Sequence, residues 1–274
     1  MKFFLPSYTT ALWKTHASIN EWGRFIFDIA TRFLGGIGKY SMVASLDSKT
    51  TINFVYTEAD FEYSKYKYRF KEDELFAVGN PDLTRFGMQV EQLGICMRNP
   101  IESDKVVYID SANFEYGVIF NSKDDFIEHM IETKKALEEQ GKVLFFKPHP
   151  SGIKHNILQP LEAEGIKICN NENFVDTLLN SCACISETST AALIPALLGL
   201  PLFLTKYGKY NEQEFGKLLT SYPRSVHLSN INSFDSELNA EKLRLNIPFA
   251  QNWIDKNAGP LPADKFSERV TNII

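Results

Sequence analysis

The sequence predicts an α/β protein built on parallel sheets, and three observations predict it. Residues 105–204 alternate short apolar runs with helix-length amphipathic segments, the pattern of strand–helix–strand units joined by right-handed crossovers. Within that run, residues 143–150 read V-L-F-F-K-P-H-P, an apolar tetrad stopped by a Lys-Pro-His-Pro turn. A tetrad bounded by prolines suits a buried parallel strand, because a helix needs more length and proline cannot donate to a ladder. Further on, residues 183–192 read A-C-I-S-E-T-S-T-A-A, where a second apolar run gives way to hydroxyls and then to helix-forming residues.

The two strand ends carry the chemistry. Lys147 and His149 fall at the C-terminal tip of the first, the edge where open α/β sheets collect ligands. Ser186, Glu187, Thr188, Ser189 and Thr190 open the helix that follows the second. Hydroxyls there cap free N–H groups, and the same N–H groups with the positive dipole end hold a phosphate. Together they make a cradle for a phosphorylated ligand. The plain alternative is a trans-proline turn and an ordinary Ser/Thr cap.

The remaining elements follow in chain order. A strand is expected at 3–5, ended by Pro6, then helical spacing over 8–32 that Gly23 interrupts and a glycine-rich bend at 33–38. Residues 51–57 (T-I-N-F-V-Y-T) are β-rich, with Glu58 and Asp60 just beyond. Residues 63–71 interleave four cations with four aromatics, either a grip for an anionic acceptor or lipid headgroups or a surface element with snorkelling lysines. A short strand at 75–78 meets the turn Gly79-Asn80-Pro81-Asp82, and the polar stretch 99–104 reads as a linker. Strands are then expected at 105–109, 143–146, 166–169, 183–185 and 201–204, the last closing the sheet. Helices fall at 123–140, with Phe126, Met130, Lys134 and Leu137 at turn spacing, and at 158–164, 173–180 and 191–198. After Thr205 the pattern loosens, and a terminal helix is expected from Ala263. The division is therefore 1–100, a first α/β domain; 101–250, a Rossmann-like domain that carries the phosphate cradle; and 251–274, a tail whose helix would cross back to the first domain.

Bulk properties exclude several classes. At 274 residues, 44% hydrophobic and 23% charged, the chain can bury a large core. A net charge of −5 argues against nucleic acid as a partner. The four cysteines, Cys96, Cys169, Cys182 and Cys184, lack metal-ligand spacing and read as core packing in a reducing cytoplasm. The first residues, M-K-F-F-L-P, are too short an apolar run for a signal peptide, and 191–204 is too short and proline-broken to span a membrane. A cytoplasmic protein is expected, with peripheral contact at the inner membrane left open. Among the other histidines, His16 reads as a surface residue, His129 as solvated, His155 as an exposed loop residue within reach of ligand, and His227 as structural.

Lys147-Pro148-His149-Pro150, followed by the Ser/Thr cluster that opens a later helix, resembles the signature of bacterial GT-B glycosyltransferases that use CMP-activated sugars. These are the lipooligosaccharide sialyltransferases, capsule polysialyltransferases and related Kdo transferases; the resemblance covers residues 75–205 and is strongest over 143–205. It implies a GT-B-like fold of two Rossmann-type domains, the N-terminal one short or incomplete at residues 1–100. It further implies that His149, Ser189 and Thr190, with Thr188, contact the donor phosphate, that Lys147 and Pro150 lie near the base, and that Glu187 or Glu172 grips the ribose. The departing CMP would be steadied without metal by a protonated imidazole and helix-end N–H groups, so no cofactor is required beyond the CMP-sugar substrate. The family's acidic general base matches only the degenerate Asn20-Glu21-Trp22-Gly23, which makes Glu21 the candidate, with Glu58 and Asp60 in reserve.

The reading is an inverting transferase that moves sialic acid or Kdo from its CMP donor to a hydroxyl of a bacterial surface glycan or glycolipid. Its partners are the nucleotide-sugar donor and the glycan acceptor, and a homodimer stays open. The alternatives are a CDP-glycerol- or UDP-sugar-dependent transferase or epimerase, and a non-catalytic nucleotide-binding subunit. A diphosphate donor would want more cations near the site than Lys147 alone.

Overall fold

The computed structural model describes residues 2–3, 53–57, 61, 75–80, 83, 85–98, 102–112, 114–115, 119–186, 189–205, 218–259 and 266–273. The predicted helical region 8–32, the cation–aromatic stretch 63–71, and Glu21, Glu58, Asp60, Glu187 and Thr188 lie outside them.

Two parallel sheets organise the described residues. The first runs β1 (Lys2–Phe3), β2 (Asn53–Val55), β3 (Leu75–Ala77), in that order. The second has six strands: β4 (Lys105–Ile109), β5 (Val143–Lys147), β6 (Lys167–Ile168), β7 (Ala183–Ser186), β8 (Leu202–Thr205) and β9 (Ser225–Leu228). Their spatial order is β6-β5-β4-β7-β8-β9, every pair parallel. The chain moves outward from β4 to one side, then returns to place β7 on the other. Such a doubly wound sheet has its switch point, and its ligand crevice, between β4 and β7.

Strand alternation explains why both faces are covered. Val106, Tyr108, Leu144, Phe146, Ala183, Ile185 and Phe203 face one core, and Val107, Ile109, Cys184, Leu202 and Leu204 face the other. The first core is closed by helices α2 (Lys123–Glu138) and α4 (Leu158–Ala163), through Phe126, Met130, Leu137 and Leu161. The second is closed by α1 (Ile95–Arg98), α5 (Phe174–Leu179), α6 (Leu193–Leu198) and α9 (Ile247–Asn257). Between β5 and α4 lies α3 (Pro150–Lys154), and α7 (Phe234–Leu238) and α8 (Glu241–Leu245) follow β9. In α10 (Phe266–Ile273), Val270 packs with Phe54 of the first sheet and with Val78 just after β3, and Arg269 Nε donates to the Val78 carbonyl at 2.9 Å.

Three expectations are corrected. The sheet does not close at β8, because β9 pairs beside it, with Thr205 opposite Leu228. In α2 the inward residue of the third turn is Thr133, 3% exposed, while Lys134 pairs with Glu138 at 2.8 Å. His129 is not a solvated side chain: it stacks at 5.2 Å on Phe120 and lies 3.4 Å from Thr133 Oγ1, and burial lowers its pKa.

Candidate functional site

The register of three strands brings the predicted groups to one edge. Ile109, the last residue of β4, stands opposite Lys147 on one side and Ser186 on the other. At a strand spacing of about 4.8 Å, the tips of β5 and β7 are roughly 10 Å apart with β4 between them. The turn carrying His149 and the cap carrying Ser189 therefore leave the sheet at the same level, flanking the switch point.

On the β5 side, Pro148 is buried, His149 is half-buried and Pro150 is exposed as the first residue of α3. His149 is the cap of that helix: its Nδ1 accepts from the Ser151 backbone N–H at 3.3 Å and lies 2.5 Å from Ser151 Oγ. An Nδ1 that accepts from the backbone leaves the ring proton on Nε2. Burial, then the charges of Lys147 and Arg85, push the His149 pKa below its usual 6.5. Against the protonated imidazole expected from the sequence, this geometry and these charges favour the neutral ring with its proton on Nε2.

Lys147 ends β5 on the face of Val143 and Phe145 and is only 6% exposed. Its ammonium lies 5.5 Å from the Phe174 ring and 5.8 Å from the Phe86 ring and donates to the Pro148 carbonyl at 3.3 Å. Desolvation is the largest influence on its pKa and lowers it. Lys147 is thereby held under the edge by aromatic faces rather than extended over it.

On the β7 side, Ser189 caps a 3-10 turn at Thr190–Ala192, its Oγ accepting from Ala191 N at 3.3 Å, and α6 continues from there to the left-handed Gly199. Thr190 is exposed. Glu172 is exposed in the loop after β6, on the far side of β5 from the switch point.

Two residues that sequence reasoning did not select belong to the same edge. Asp110, directly after β4 and 2% exposed, accepts from the His149 backbone N–H at 3.1 Å and from Ala112 N–H at 2.9 Å. It tethers the His-Pro turn to the central strand. Its signal was only a polar residue after an apolar strand, which any turn supplies. Arg85 sets its guanidinium 5.6 Å from the Phe86 ring that Lys147 also faces, and its charge is felt by both Lys147 and His149. The edge therefore has a second cation, an exposed one. A further small crevice of about 20 Å³ opens among Tyr108, Thr133, Thr205 and Ser229 on the α2 face.

The cysteines are thiols held by burial: Cys96 and Cys182 are pushed up to about 11, and Cys169 and Cys184 are also raised. Little of Cys96 or Cys182 is thiolate at pH 8, so Ellman's reagent is expected to label the native chain slowly and all four cysteines after denaturation. Rapid native labelling of any of them would contradict this burial. Among the described residues no three His, Cys, Asp or Glu side chains are grouped as a metal would need. None of the described helices is long and apolar enough to cross a membrane.

No known protein family and no curated protein matches the sequence. Solved structures do. The chain is similar to Methanocaldococcus jannaschii UDP-GlcNAc 2-epimerase in complex with UDP-GlcNAc and UDP, at 15% identity and a TM-score of 0.50, covering 81% of this chain and 60% of that one. It is also similar to the wall teichoic acid polymerase TagF (14%, TM-score 0.49, 81% and 57%) and to a glycosyltransferase from Rickettsia africae (11%, TM-score 0.41, 82% and 63%). This chain spans less than two thirds of the length of each of those three. Likeness at such identity bears on the fold alone: α/β, GT-B-like, with parallel sheets.

Proposed function

We propose that the chain is a glycosyltransferase that binds a nucleotide-activated sugar at the carboxyl edge of its six-stranded sheet. The observation that carries the reading is the register Lys147–Ile109–Ser186, which sets the His149 turn and the Ser189 cap on either side of the switch point. The finer reading is transfer of sialic acid or Kdo from a CMP donor to a hydroxyl of a bacterial surface glycan or glycolipid. The neutral Nε2–H of His149, the Ser189–Thr190 cap and nearby backbone N–H groups are donors for a single phosphate, and they stabilise it as negative charge grows on departure. Lys147 acts from below as a fixed charge, its ammonium engaged by Phe86, Phe174 and the Pro148 carbonyl. No resident metal or cofactor is invoked. Glu21 remains the proposed base for the acceptor hydroxyl, and Glu187 or Glu172 the proposed ribose partner.

Arg85 favours a second reading. An exposed guanidinium whose charge reaches His149 suits the additional charge of a diphosphate donor, such as CDP-glycerol or a UDP-sugar. Calorimetry with CMP, CDP and UDP separates the two. Tightest binding of CMP supports the first, and tighter CDP or UDP with loss on Arg85→Ala supports the second. His149→Ala is expected to weaken binding of the preferred nucleotide by about 1.5–3 kcal/mol, the range for a hydrogen bond to a charged group. Unchanged affinity in that variant would remove His149 from the site, and no binding of any nucleotide would end the proposal.

A further inference from the structure

The turn that carries Arg85 is pinned at three points, and the pinning decides where its cation stands. Leu83 and Met88, 1% and 2% exposed, sit in the second core. Between them the chain closes as the end of a helix closes: Met88 N–H donates back to the Leu83 carbonyl at 2.8 Å, and Gly87 takes φ +67°. The third pin is Phe86, whose ring meets the Phe174 ring edge-on at 5.0 Å. Phe174 is fully buried at the start of α5, and the Lys147 ammonium lies 5.8 Å from the Phe86 ring and 5.5 Å from the Phe174 ring. Phe86 is therefore held between a helix and the last residue of β5. Arg85, the residue before it, is exposed, and its guanidinium lies 5.6 Å from the same Phe86 ring.

Two cations thus share one aromatic ring, and only one of them can swing away from it. Lys147 is 6% exposed and donates to the Pro148 carbonyl at 3.3 Å, which fixes it under the edge. Among the described residues no carboxylate lies within 4.0 Å of either charge. Like charges around one ring repel, which turns the exposed guanidinium outward, where its planar fork suits two oxygens of a phosphate. One phosphate finds its donors in His149 and the Ser189 cap, and Arg85 adds charge for a second.

We infer that Phe86 is a positioning residue that sets Arg85 at the carboxyl edge and, through it, the preference for a nucleoside diphosphate over a monophosphate. This rests on the second reading above, in which Arg85 meets a diphosphate donor. Phe86 itself is not asked to touch the ligand. Phe174 and Lys147 hold its ring, the ring holds the turn, and the turn presents the guanidinium. Removing the ring should therefore cost what the guanidinium gives to the second phosphate and nothing of what the first receives.

The test is calorimetry of CDP and CMP on the full chain, wild type beside Arg85→Ala, Phe86→Leu and the double variant. Arg85→Ala is expected to weaken CDP roughly tenfold to a hundredfold, the factor for a hydrogen bond to a charged group, and to leave CMP within about threefold. Phe86→Leu keeps most of the apolar bulk at a half-buried position, and its expected loss is about tenfold or more for CDP with CMP again spared. In the double variant CDP binds as it does to Arg85→Ala alone, since a residue that acts through another adds nothing once the other is gone. Additive losses, or full CDP affinity in Phe86→Leu, would overturn the positioning role. CDP affinity that Arg85→Ala does not change would overturn the discrimination itself, even where CMP binds well. A second measurement needs no nucleotide: proton NMR of the Arg85 Nε–H and the Lys147 methylenes, both of which the Phe86 ring should displace relative to Phe86→Leu. Absence of that displacement at either group would overturn the shared ring. Failure of the wild type to bind any nucleotide would sink the functional reading and the discrimination together, and the NMR comparison would still decide whether Phe86 stands between the two cations.

Discussion

Asp110→Ala is expected to cost about 2–4 kcal/mol of stability, read as a lower urea midpoint at constant slope, and to abolish measurable nucleotide binding. The size follows from what the carboxylate does. Its two oxygens take the N–H groups of Ala112 and His149 at 2.9 and 3.1 Å, in a site only 2% exposed. Truncation leaves two shielded donors without acceptors, each costing about 1–3 kcal/mol less whatever water recovers. The binding loss is a separate consequence. The His149 backbone is anchored to β4 through this bond and through Asp110 N–H donating to the Lys147 carbonyl at 3.0 Å. Without the carboxylate the His-Pro turn loses its register with the switch point, and misplacement of about 1 Å is enough to ruin a preorganised site. Asp110→Asn is the informative partner, since one oxygen survives as an acceptor while the amide nitrogen faces a donor. It should fall between wild type and alanine in stability. A loss of stability below about 0.5 kcal/mol for alanine, the scatter of ordinary surface changes, would show that Asp110 is not the tether.

What the sequence made legible was the middle of the sheet. The runs V-V-Y-I and V-L-F-F are covered on both faces, so every position is apolar and the strand shows without a partner. Edge elements were harder. In β9, Val226 and Leu228 are buried but His227 is exposed and Ser225 half-buried, so the four-residue signal is diluted by polar positions. Helix α9 carries Pro248 in its first turn, which the local pattern presents as a break although proline is well suited there. Lys147 looked like the first residue of a turn, yet the strand ladder extends one residue past the apolar tetrad, and alternation then points it under the sheet beside Phe86 and Phe174. The neutral state of His149 had a local cue in Ser151, two residues on, the spacing of a side chain that caps its own turn. Arg85 had none. Its place at this edge depends on how residues 83–98 pack against the second core, through Leu83, Met88, Cys96 and Met97, and sequence separation carries no trace of that.

The same packing makes Gly199 a sensitive position for the fold. Gly199→Ala is expected to destabilise by about 3–4 kcal/mol, some 10 °C in melting temperature for a chain of this size. Two costs combine. The residue ends α6 at φ +89°, where a side chain adds about 1–2 kcal/mol. A β-carbon would also stand 2.7 Å from Met97 Cγ and 3.2 Å from the α-carbon of Gly94. The methionine can move, but the Gly94 backbone is fixed by its own N–H donating to the Leu197 carbonyl at 2.8 Å. The clash is therefore between two main chains, and relief requires prising α1 from α6. Gly141→Ala separates the two costs, since Gly141 has φ +71° and nothing within 4 Å of an added β-carbon. It should lose only the conformational part, about 1–2 kcal/mol. If the two variants melt together, the close approach of Gly94 and Gly199 contributes nothing, and residues 83–98 are not held against the sheet by this contact. If Gly199→Ala alone falls far and also weakens nucleotide binding, the packing of that segment, and with it the placement of Arg85 at the edge, is what the glycine pair protects.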